Sequence, residues 1–253
     1  MALRRIPPFA DWRHEGGRNL TSIEDLKRQA AEAALTHVKP GMILGLGTGS
    51  TARHFLAGIA RLVAGGMDLK GVPTSFATAE AAKRLGIPLT SLEDHPHLDL
   101  CVDGADEVDP KLDLIKGLGG ALFREKIVAA ASETFIVIVD ESKLVPRLGT
   151  KAPVPLEVHP FGWRNAAKAL EGLGASVELR RRGGEVFLTD NGNHILDARF
   201  RSLRSPAKMA VQIMSIPGIV GHGLFLGMVD AALVASEMGI RTLHPAVQPT
   251  RTS

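Results

Sequence analysis

Before residue 150 the chain repeats one pattern four times: a short apolar run, a loop of small or charged residues, and a helical segment. Strands that alternate with helices are typical of a parallel sheet covered by helices on both faces. Ligands of such sheets bind at the carboxyl ends of the strands, where these loops lie. The repeat therefore predicts a doubly wound, mainly parallel, Rossmann-like α/β sheet with its site along that edge. The apolar runs are 42–46, 71–78, 99–102 and 134–139.

The loop richest in carboxylates, lysine and glycine follows the third run, in the stretch VDGADEVDPKLDLIKGLGGALFREK, residues 102–126. Lys116 opens a glycine turn that leads into a helix carrying Glu125. Carboxylates beside a lysine can exchange protons if they converge on one cavity, and glycines before a helix leave N–H groups free for an anion. On these residues alone, a solvated acidic turn followed by a structural glycine turn remains the alternative. Three carboxylates follow the strand directly: Asp103, Asp106 and Glu107.

A second loop, residues 45–51 with the sequence GLGTGST, has the pattern of a phosphate-binding turn. Its glycines allow close approach of the backbone, and its hydroxyls lie where the next helix begins. The loop lacks the Gly-Lys-Ser/Thr ending of a nucleotide-triphosphate loop and the glycine spacing of a dinucleotide fingerprint. We expect it to bind a phosphate; a purely structural turn, or a turn like those of methyltransferases, remains the alternative.

Charge and cysteine content exclude several classes of protein. The net charge of +3 comes from dispersed Lys and Arg, which argues against a nucleic-acid partner. One basic run, 180–182, precedes Gly183-Gly184 and is interpreted as a solvated hairpin tip. The single Cys101 excludes an internal disulfide and, within an apolar run, is expected to be a buried hydrophobe rather than a nucleophile.

The sequence contains no apolar run of membrane-spanning length, and no apolar segment follows the arginines near its N-terminus. We therefore expect a cytoplasmic protein without a membrane partner. Residues 1–20 show no periodicity and are predicted to be a mobile extension, and residues 244–253 are predicted to be an unstructured tail.

From residue 150 onward the pattern changes to β-α-β-β-α-β, with a strand predicted near 186–188. This order is the signature of a ferredoxin-like α+β domain. We predict that residues 150–224 form such a domain, inserted into an α/β catalytic domain of residues 21–149 plus 225–243. The apolar segments 224–226 and 231–235 are predicted to return to the first sheet.

Taken together, the ordered motifs resemble the A-type ribose-5-phosphate isomerase family over roughly residues 23–235. The motifs are GLGTGSTARHF at 45–55, VDGADEVDP at 102–110, IKGLGGALFREKIVA at 115–129, DESKLV at 140–145, TDNGNHILD at 189–197 and IPGIVGHGLF at 216–225. The second and third of these motifs, at their spacing, are the most specific.

The resemblance implies an aldose–ketose isomerase that interconverts ribose 5-phosphate and ribulose 5-phosphate without a metal or an organic cofactor. It also implies a homodimer or homotetramer and a small phosphosugar as the substrate. Residue by residue, it implies a catalytic set of Glu125, Asp103, Asp106 and Lys116. It implies substrate contacts from Thr48, Gly49, Ser50, Thr51, Gly104, Ala105, Gly117, Leu118, Gly119 and Lys143, and Lys27 is a further candidate for the phosphate.

In the implied reaction Glu125 moves a proton between C2 and C1, and Lys116 stabilises the oxyanion that develops. Either Asp103 or Asp106 opens the sugar ring, and the sequence leaves that choice open. A helical wheel places Glu125 opposite Phe123 and Ile127, in a position that taken alone faces solvent, although apolar neighbours allow partial enclosure.

Two positions depart from the family pattern. Leu118 replaces a frequent glycine but leaves the flanking glycines free, so it has little effect on the assignment of this loop to the site. Phe76 replaces an acid found in some members, and the hydroxyl-rich loop around it is therefore not assigned to the site. Two other functions remain open: a non-catalytic sugar-phosphate sensor of the same fold, which does not require Glu125 or Lys116, and an amino-sugar phosphate deaminase, which requires a histidine acid–base set.

Overall fold

The computed structural model describes residues 22–246, and the predicted mobile extension and residues 247–253 of the predicted tail lie outside this range. Residues 244–246 form no helix or strand. None of the helices in the described part of the chain has the length and apolar character that a membrane crossing requires.

Six α-helices and fifteen strands make up the described residues, together with two 3₁₀ turns at Glu141–Lys143 and Pro160–Gly162. The helices are α1 (Ile23–Leu35), α2 (Ser50–Ala64), α3 (Phe76–Arg84), α4 (Leu122–Ala130), α5 (Trp163–Gly172) and α6 (Pro206–Met214). The strands are β1 (Ile43–Leu46), β2 (Lys70–Pro73), β3 (Leu98–Asp103), β4 (Glu107–Val108), β5 (Leu114–Ile115), β6 (Ser132–Asp140), β7 (Val154–Val158), β8 (Ala175–Leu179), β9 (Arg181–Arg182), β10 (Glu185–Val186), β11 (His194–Phe200), β12 (Ile219–His222), β13 (Leu224–Phe225), β14 (Ala231–Ser236) and β15 (Gly239–Leu243).

The main sheet has six strands in the order β15-β14-β6-β3-β1-β2. Five of them run parallel, and only the edge strand β15 is antiparallel to its neighbour. Successive side chains of β3 enter different cores: Leu100 and Val102 pack with α1 and α2, whereas Cys101 packs with α4. Helices therefore cover both faces, and the predicted doubly wound sheet is confirmed.

The inserted segment forms a four-stranded antiparallel sheet in the order β12-β7-β11-β8. Numbered along the segment, this order is 4-1-3-2, and with α5 after the first strand and α6 after the third it is ferredoxin-like. One face of this sheet packs against α5 and α6. The other face approaches α4, since a Cβ added at Gly221 of β12 would lie 2.9 Å from the Phe123 ring.

Three local predictions were wrong. The run 71–78 is not one strand: β2 ends at Pro73 and α3 begins at Phe76, because the Ser75 hydroxyl accepts the Thr78 N–H and caps the helix there. The segment at 224–226 does not join the main sheet; β13 pairs with β5 in a separate three-stranded sheet. The strand predicted at 186–188 is not continuous: Val186 belongs to β10, which pairs with β9 outside the four-stranded sheet, and Leu188 forms an isolated bridge with His194.

Glu107, the third carboxylate of the acidic loop, serves the fold rather than the site. Its side chain is fully buried, and its two oxygens accept the backbone N–H groups of Gly149, Lys151 and Ala152. These residues lead into β7, so one carboxylate joins β4 of the three-stranded sheet to the start of the inserted segment.

Candidate active site

Three charged side chains meet at the carboxyl end of β3. The Lys116 ammonium lies 2.9 Å from Asp103 Oδ2 and 3.4 Å from Glu125 Oε2. It also donates a hydrogen bond of 2.6 Å to the Gly104 carbonyl. All three side chains are buried, so a cluster of one cation and two carboxylates is largely withdrawn from water.

The backbone holds Asp103 in a fixed orientation. Its Oδ1 accepts the N–H groups of Thr48 at 3.1 Å and Gly104 at 2.7 Å, and its Oδ2 is left to face Lys116. This approach requires glycine at position 47, since a Cβ there would lie 2.3 Å from Asp103 Oδ1. The second glycine of the turn thus makes room for the acid of the neighbouring strand.

Burial raises the pKa of Glu125 to about 8, and the nearby Asp103 and Asp106 carboxylates add to the rise while Lys116 opposes it. Burial also raises the pKa of Asp103, against the opposing effect of Lys116. For Lys116, burial lowers the pKa, but the Asp103 and Glu125 carboxylates outweigh this effect, and the net shift is upward. Lys116 is therefore charged, and Glu125 is a carboxylate whose protonation changes near neutral pH.

Glu125 lies on the buried side of α4, together with Leu122 and Val128, and only 4% of its surface is exposed. The solvent-facing position indicated by the helical wheel is wrong, and the enclosure suggested by the apolar neighbours is observed. The reason is tertiary: the side of α4 that carries Glu125 packs on the main sheet, where Val128 shares a core with Cys101 of β3, while Ile127 remains exposed.

The predicted phosphate turn ends at Gly49, which is the N-cap of α2 and has a φ of 122°, a conformation that favours glycine. No side chain caps α2, so the N–H groups of its first turn face outward at the positive end of a 15-residue helix. This geometry suits an anion such as a phosphate.

Thr48 is oriented by hydroxyls that the sequence interpretation left unassigned. Its Oγ1 lies 2.7 Å from the Thr74 hydroxyl, 2.8 Å from that of Ser75 and 3.0 Å from that of Thr78. Because β2 pairs in parallel with β1, the carboxyl ends of the two strands adjoin. The predicted order of strands in a parallel sheet could therefore have indicated that these hydroxyls lie beside Thr48. Leaving this loop out because of Phe76 overlooked its role in fixing the phosphate turn; Phe76 itself is exposed.

A polar cavity of about 240 Å³ opens between these loops. It brings together nearly all of the predicted site residues and adds Ile23, Asp140 and Ser142 to them. The predicted residues that line it are Lys27, Thr48, Gly49, Ser50, Thr51, Gly104, Ala105, Asp106, Lys116, Gly117, Gly119, Glu125 and Lys143.

Two predicted site residues do not line this cavity. Asp103 lies behind Lys116 with its carboxylate occupied by backbone N–H groups and the ammonium. The Leu118 side chain is exposed and lines a neighbouring cavity of about 650 Å³, whereas its backbone N–H donates to Asp106 Oδ2 at 2.9 Å. Asp106 is therefore the acid of the pair that reaches the polar cavity.

The lysine predicted to contact the phosphate, Lys27, lies at the cavity wall and forms a 2.6 Å ion pair with Glu24 one helical turn earlier. Lys143 ends the 3₁₀ turn after β6 and lies at the wall shared by the two cavities. Two cations thus flank the uncapped end of α2.

Arg180 is a second residue that the sequence interpretation placed wrongly. It is not part of a solvated hairpin tip: its Nη1 donates to the carbonyls of Gly117 and Leu118, each at 2.9 Å, and its guanidinium forms an ion pair with Asp197. These bonds tie the glycine turn to the inserted segment. No sequence signal identified this role, since the partners lie more than sixty residues away.

No group of three or more His, Cys, Asp or Glu side chains within residues 22–246 has the arrangement of a metal site. A reaction without metal or cofactor stays a prediction from the sequence.

Comparisons with known proteins agree with one another. The family model for ribose 5-phosphate isomerase A (phosphoriboisomerase A) matches residues 70–239. A ribose-5-phosphate isomerase A from Roseiflexus sp. is 53% identical over 86% of this chain and 95% of its own length. The one from Gloeobacter violaceus is 51% identical over 90% of this chain and 99% of its own length.

Solved structures show the same similarity. Ribose 5-phosphate isomerase A from Methanocaldococcus jannaschii superposes with a TM-score of 0.85 at 40% identity, covering 88% of this chain and all of the other. A D-ribose-5-phosphate isomerase in complex with phospho-erythronic acid superposes with a TM-score of 0.86 at 40% identity, covering 88% of this chain and 99% of the other.

Proposed function

The chain belongs to the ribose 5-phosphate isomerase A family, and we propose that it interconverts D-ribose 5-phosphate and D-ribulose 5-phosphate through an enediolate intermediate. The observation that carries the proposal is the buried Glu125 carboxylate at the wall of a polar cavity, beside the Lys116 ammonium. A base that titrates near the working pH and a fixed cation are what the transfer of a proton next to a carbonyl requires.

The phosphate is bound by the N-terminal turn of α2, residues Ser50 and Thr51, with Lys27 and Lys143 on either side. Binding at this end positions the carbon chain toward Lys116 and Glu125, so that phosphate binding energy orients the reacting carbons. One solved relative binds phospho-erythronic acid, a phosphorylated sugar acid of the same chemical class.

Ring opening requires a proton to leave O1 and another to reach the ring oxygen. We assign this step to Asp106, since its carboxylate lines the cavity whereas that of Asp103 does not. Asp103 is then a positioning residue that holds the Lys116 ammonium through their 2.9 Å contact.

In the open-chain aldose, Glu125 removes the proton from C2, and the electrons move onto O1, which becomes an oxyanion. Lys116 and the N–H groups of the glycine turn stabilise that charge. Glu125 then returns the proton to C1, and transfer of the O2 proton to O1 completes the ketose. Atoms balance without an oxidant, because the C2 oxidation is matched by reduction at C1.

The test follows the conversion of ribose 5-phosphate to ribulose 5-phosphate by wild type and Glu125→Gln, each with and without EDTA. We expect an active wild type that EDTA does not inhibit and a loss of about 10³-fold in kcat for Glu125→Gln. An inactive wild type would contradict the proposed function, a chelator-sensitive one would contradict the metal-free reaction, and a fully active variant would remove Glu125 as the base.

We also propose that the enzyme is a cytoplasmic homodimer or homotetramer and that residues 150–224 form an inserted domain. Sedimentation equilibrium of the full chain measures the number of subunits, and limited proteolysis near residues 150 and 224 tests the boundaries.

A further inference from the structure

The loop TDNGN at residues 189–193, hereafter the 189–193 turn, contributes no residue to the polar cavity but is built with unusual polar content. It is assembled on Glu157 of β7, a fully buried carboxylate on the sheet face that approaches α4. One oxygen of Glu157 accepts three side-chain donors of the turn, from Thr189 at 3.0 Å, Asn191 at 2.9 Å and Asn193 at 2.9 Å.

One side of the turn contacts the helix that carries the base. Asn191 Oδ1 accepts a hydrogen bond of 2.8 Å from Arg124 Nε, and Arg124 Nη2 donates to the Asp190 carbonyl at 3.2 Å. Arg124 immediately precedes Glu125 in α4. The single Asn191 amide thus donates to Glu157 and accepts from Arg124, which an aspartate or an alanine at this position cannot do.

The other side of the turn contacts the helix behind the phosphate turn. Asp190 Oδ2 accepts the Phe76 N–H at 2.6 Å, at the first residue of α3. The preceding residue, Ser75, belongs to the hydroxyl cluster that holds Thr48. The Arg124 guanidinium also lies 4.5 Å from the centroid of the Phe76 ring, so the two contacts adjoin.

We propose that the 189–193 turn is a positioning element for the isomerisation, in which Asn191 acts through Arg124 on the base Glu125 and Asp190 acts through Phe76 and Ser75 on the phosphate turn. This inference rests on the proposed function of the site. The two contacts have different kinetic consequences. Displacing the base affects the chemical step and lowers kcat, whereas loosening the phosphate turn weakens substrate binding and raises KM.

The experiment measures steady-state kinetics with ribose 5-phosphate for the full chain and four variants. For Asn191→Ala we expect kcat to fall about tenfold and KM to stay within about twofold. For Asp190→Ala we expect KM to rise about fivefold with kcat within about twofold. Asp190→Asn keeps an oxygen acceptor for the Phe76 N–H, so its KM is expected near that of wild type.

Glu185→Ala in the neighbouring exposed hairpin is the matched control and is expected to behave as wild type. Thermal unfolding of each variant shows whether it is folded. Equal losses of kcat in Asn191→Ala and Asp190→Ala, or a lowered melting temperature with unchanged kcat and KM, would overturn the proposal and leave the turn a structural one. If wild type and Glu185→Ala are themselves inactive, the proposed function is contradicted. If both are active, a negative result for the turn variants contradicts only the proposed role of the 189–193 turn.

Discussion

Asp103, Lys116 and Glu125 share one buried cluster but have different surroundings. The negative charge of Asp103 is compensated by two backbone N–H groups and the Lys116 ammonium. Glu125 Oε2, in contrast, is compensated only by Lys116, at 3.4 Å. When both acids are ionised the cluster carries one excess negative charge in a site with little water, and Glu125 is the acid with fewer hydrogen bonds to support its charge. This difference in environment makes Glu125 the proton acceptor and Asp103 the fixed anion.

The first prediction concerns pH. A base must be ionised to accept a proton, so kcat/KM for ribose 5-phosphate should rise as pH increases, with an apparent pKa of about 8, and then level off. Because the nearby Asp103 carboxylate helps to raise the pKa of Glu125, Asp103→Asn should move this limb to lower pH. The measurement is kcat/KM between about pH 6 and 9.5 for both proteins; a flat profile would contradict the assignment of Glu125.

The second prediction separates ring opening from proton transfer. In Asp106→Asn the conversion of ribose 5-phosphate should slow about 100-fold, because an amide cannot relay a proton to the ring oxygen. Ribulose 5-phosphate has no furanose ring, so exchange of its C1 proton with D₂O, followed by NMR, bypasses the step and should stay within a fewfold of wild type. Equal slowing of both reactions would show that Asp106 does not act in ring opening.

Among the elements, those fixed by local interactions were predictable from sequence. The N-cap of α1 is Ser22, whose hydroxyl accepts the N–H of Asp25 three residues later, a local pattern that the sequence alone displays. The start of α3 at Phe76 was missed, since it lies within the run 71–78 that was predicted to be extended. Arg180 was missed because its partners, the carbonyls of Gly117 and Leu118, are distant in sequence. Local chemistry is visible in sequence, whereas partners brought together by packing are not.

The third prediction tests the role of β8 and its flanking Arg180. Arg180→Met keeps an unbranched side chain but removes the donors that hold the carbonyls of Gly117 and Leu118, so the glycine turn at the cavity wall loses this anchor. We expect kcat to fall about tenfold, as for the loss of a preorganised oxyanion donor, with a smaller change in KM. Arg181→Met is the control, since Arg181 donates to Gly184 within its own hairpin. Wild-type kcat in Arg180→Met would show that the turn holds its shape unaided.

At the scale of the whole molecule, the site depends on how the two larger sheets meet. The main sheet supplies the loops at its strand ends and the core against which the Glu125 side of α4 packs, and the face of the inserted sheet opposite α5 and α6 covers the Phe123 side of α4. The sequence predicted both sheets from periodicity and strand order. It did not predict their contact, because burial at that contact arises from pairs such as Gly221 and Phe123, whose proximity no local pattern encodes.

The connection from the main sheet to the inserted segment also depends on a buried charge, the carboxylate of Glu107. Glu107 accepts three backbone N–H groups from residues 149–152, with two of the bonds at 2.6 Å, and so fixes the chain where it leaves the main sheet for β7. Replacing it with glutamine leaves one acceptor and places an amide donor against a backbone donor. Buried donors that lose a carboxylate acceptor are left unsatisfied, which destabilises the folded state.

We therefore expect Glu107→Gln to lower the free energy of unfolding by about 3 kcal/mol, measured by urea denaturation. Because Glu107 does not line the polar cavity, the substitution should affect stability and not the chemical step. We therefore expect kcat in the absence of urea to stay within about twofold of wild type. Glu133→Gln, at an exposed position of β6, is the matched control and should leave the unfolding curve unchanged. If Glu107→Gln instead lowered kcat sharply at unchanged stability, Glu107 would belong with Asp103 and Asp106 in the site, and the division of the acidic loop into two functional carboxylates and one structural carboxylate would be wrong.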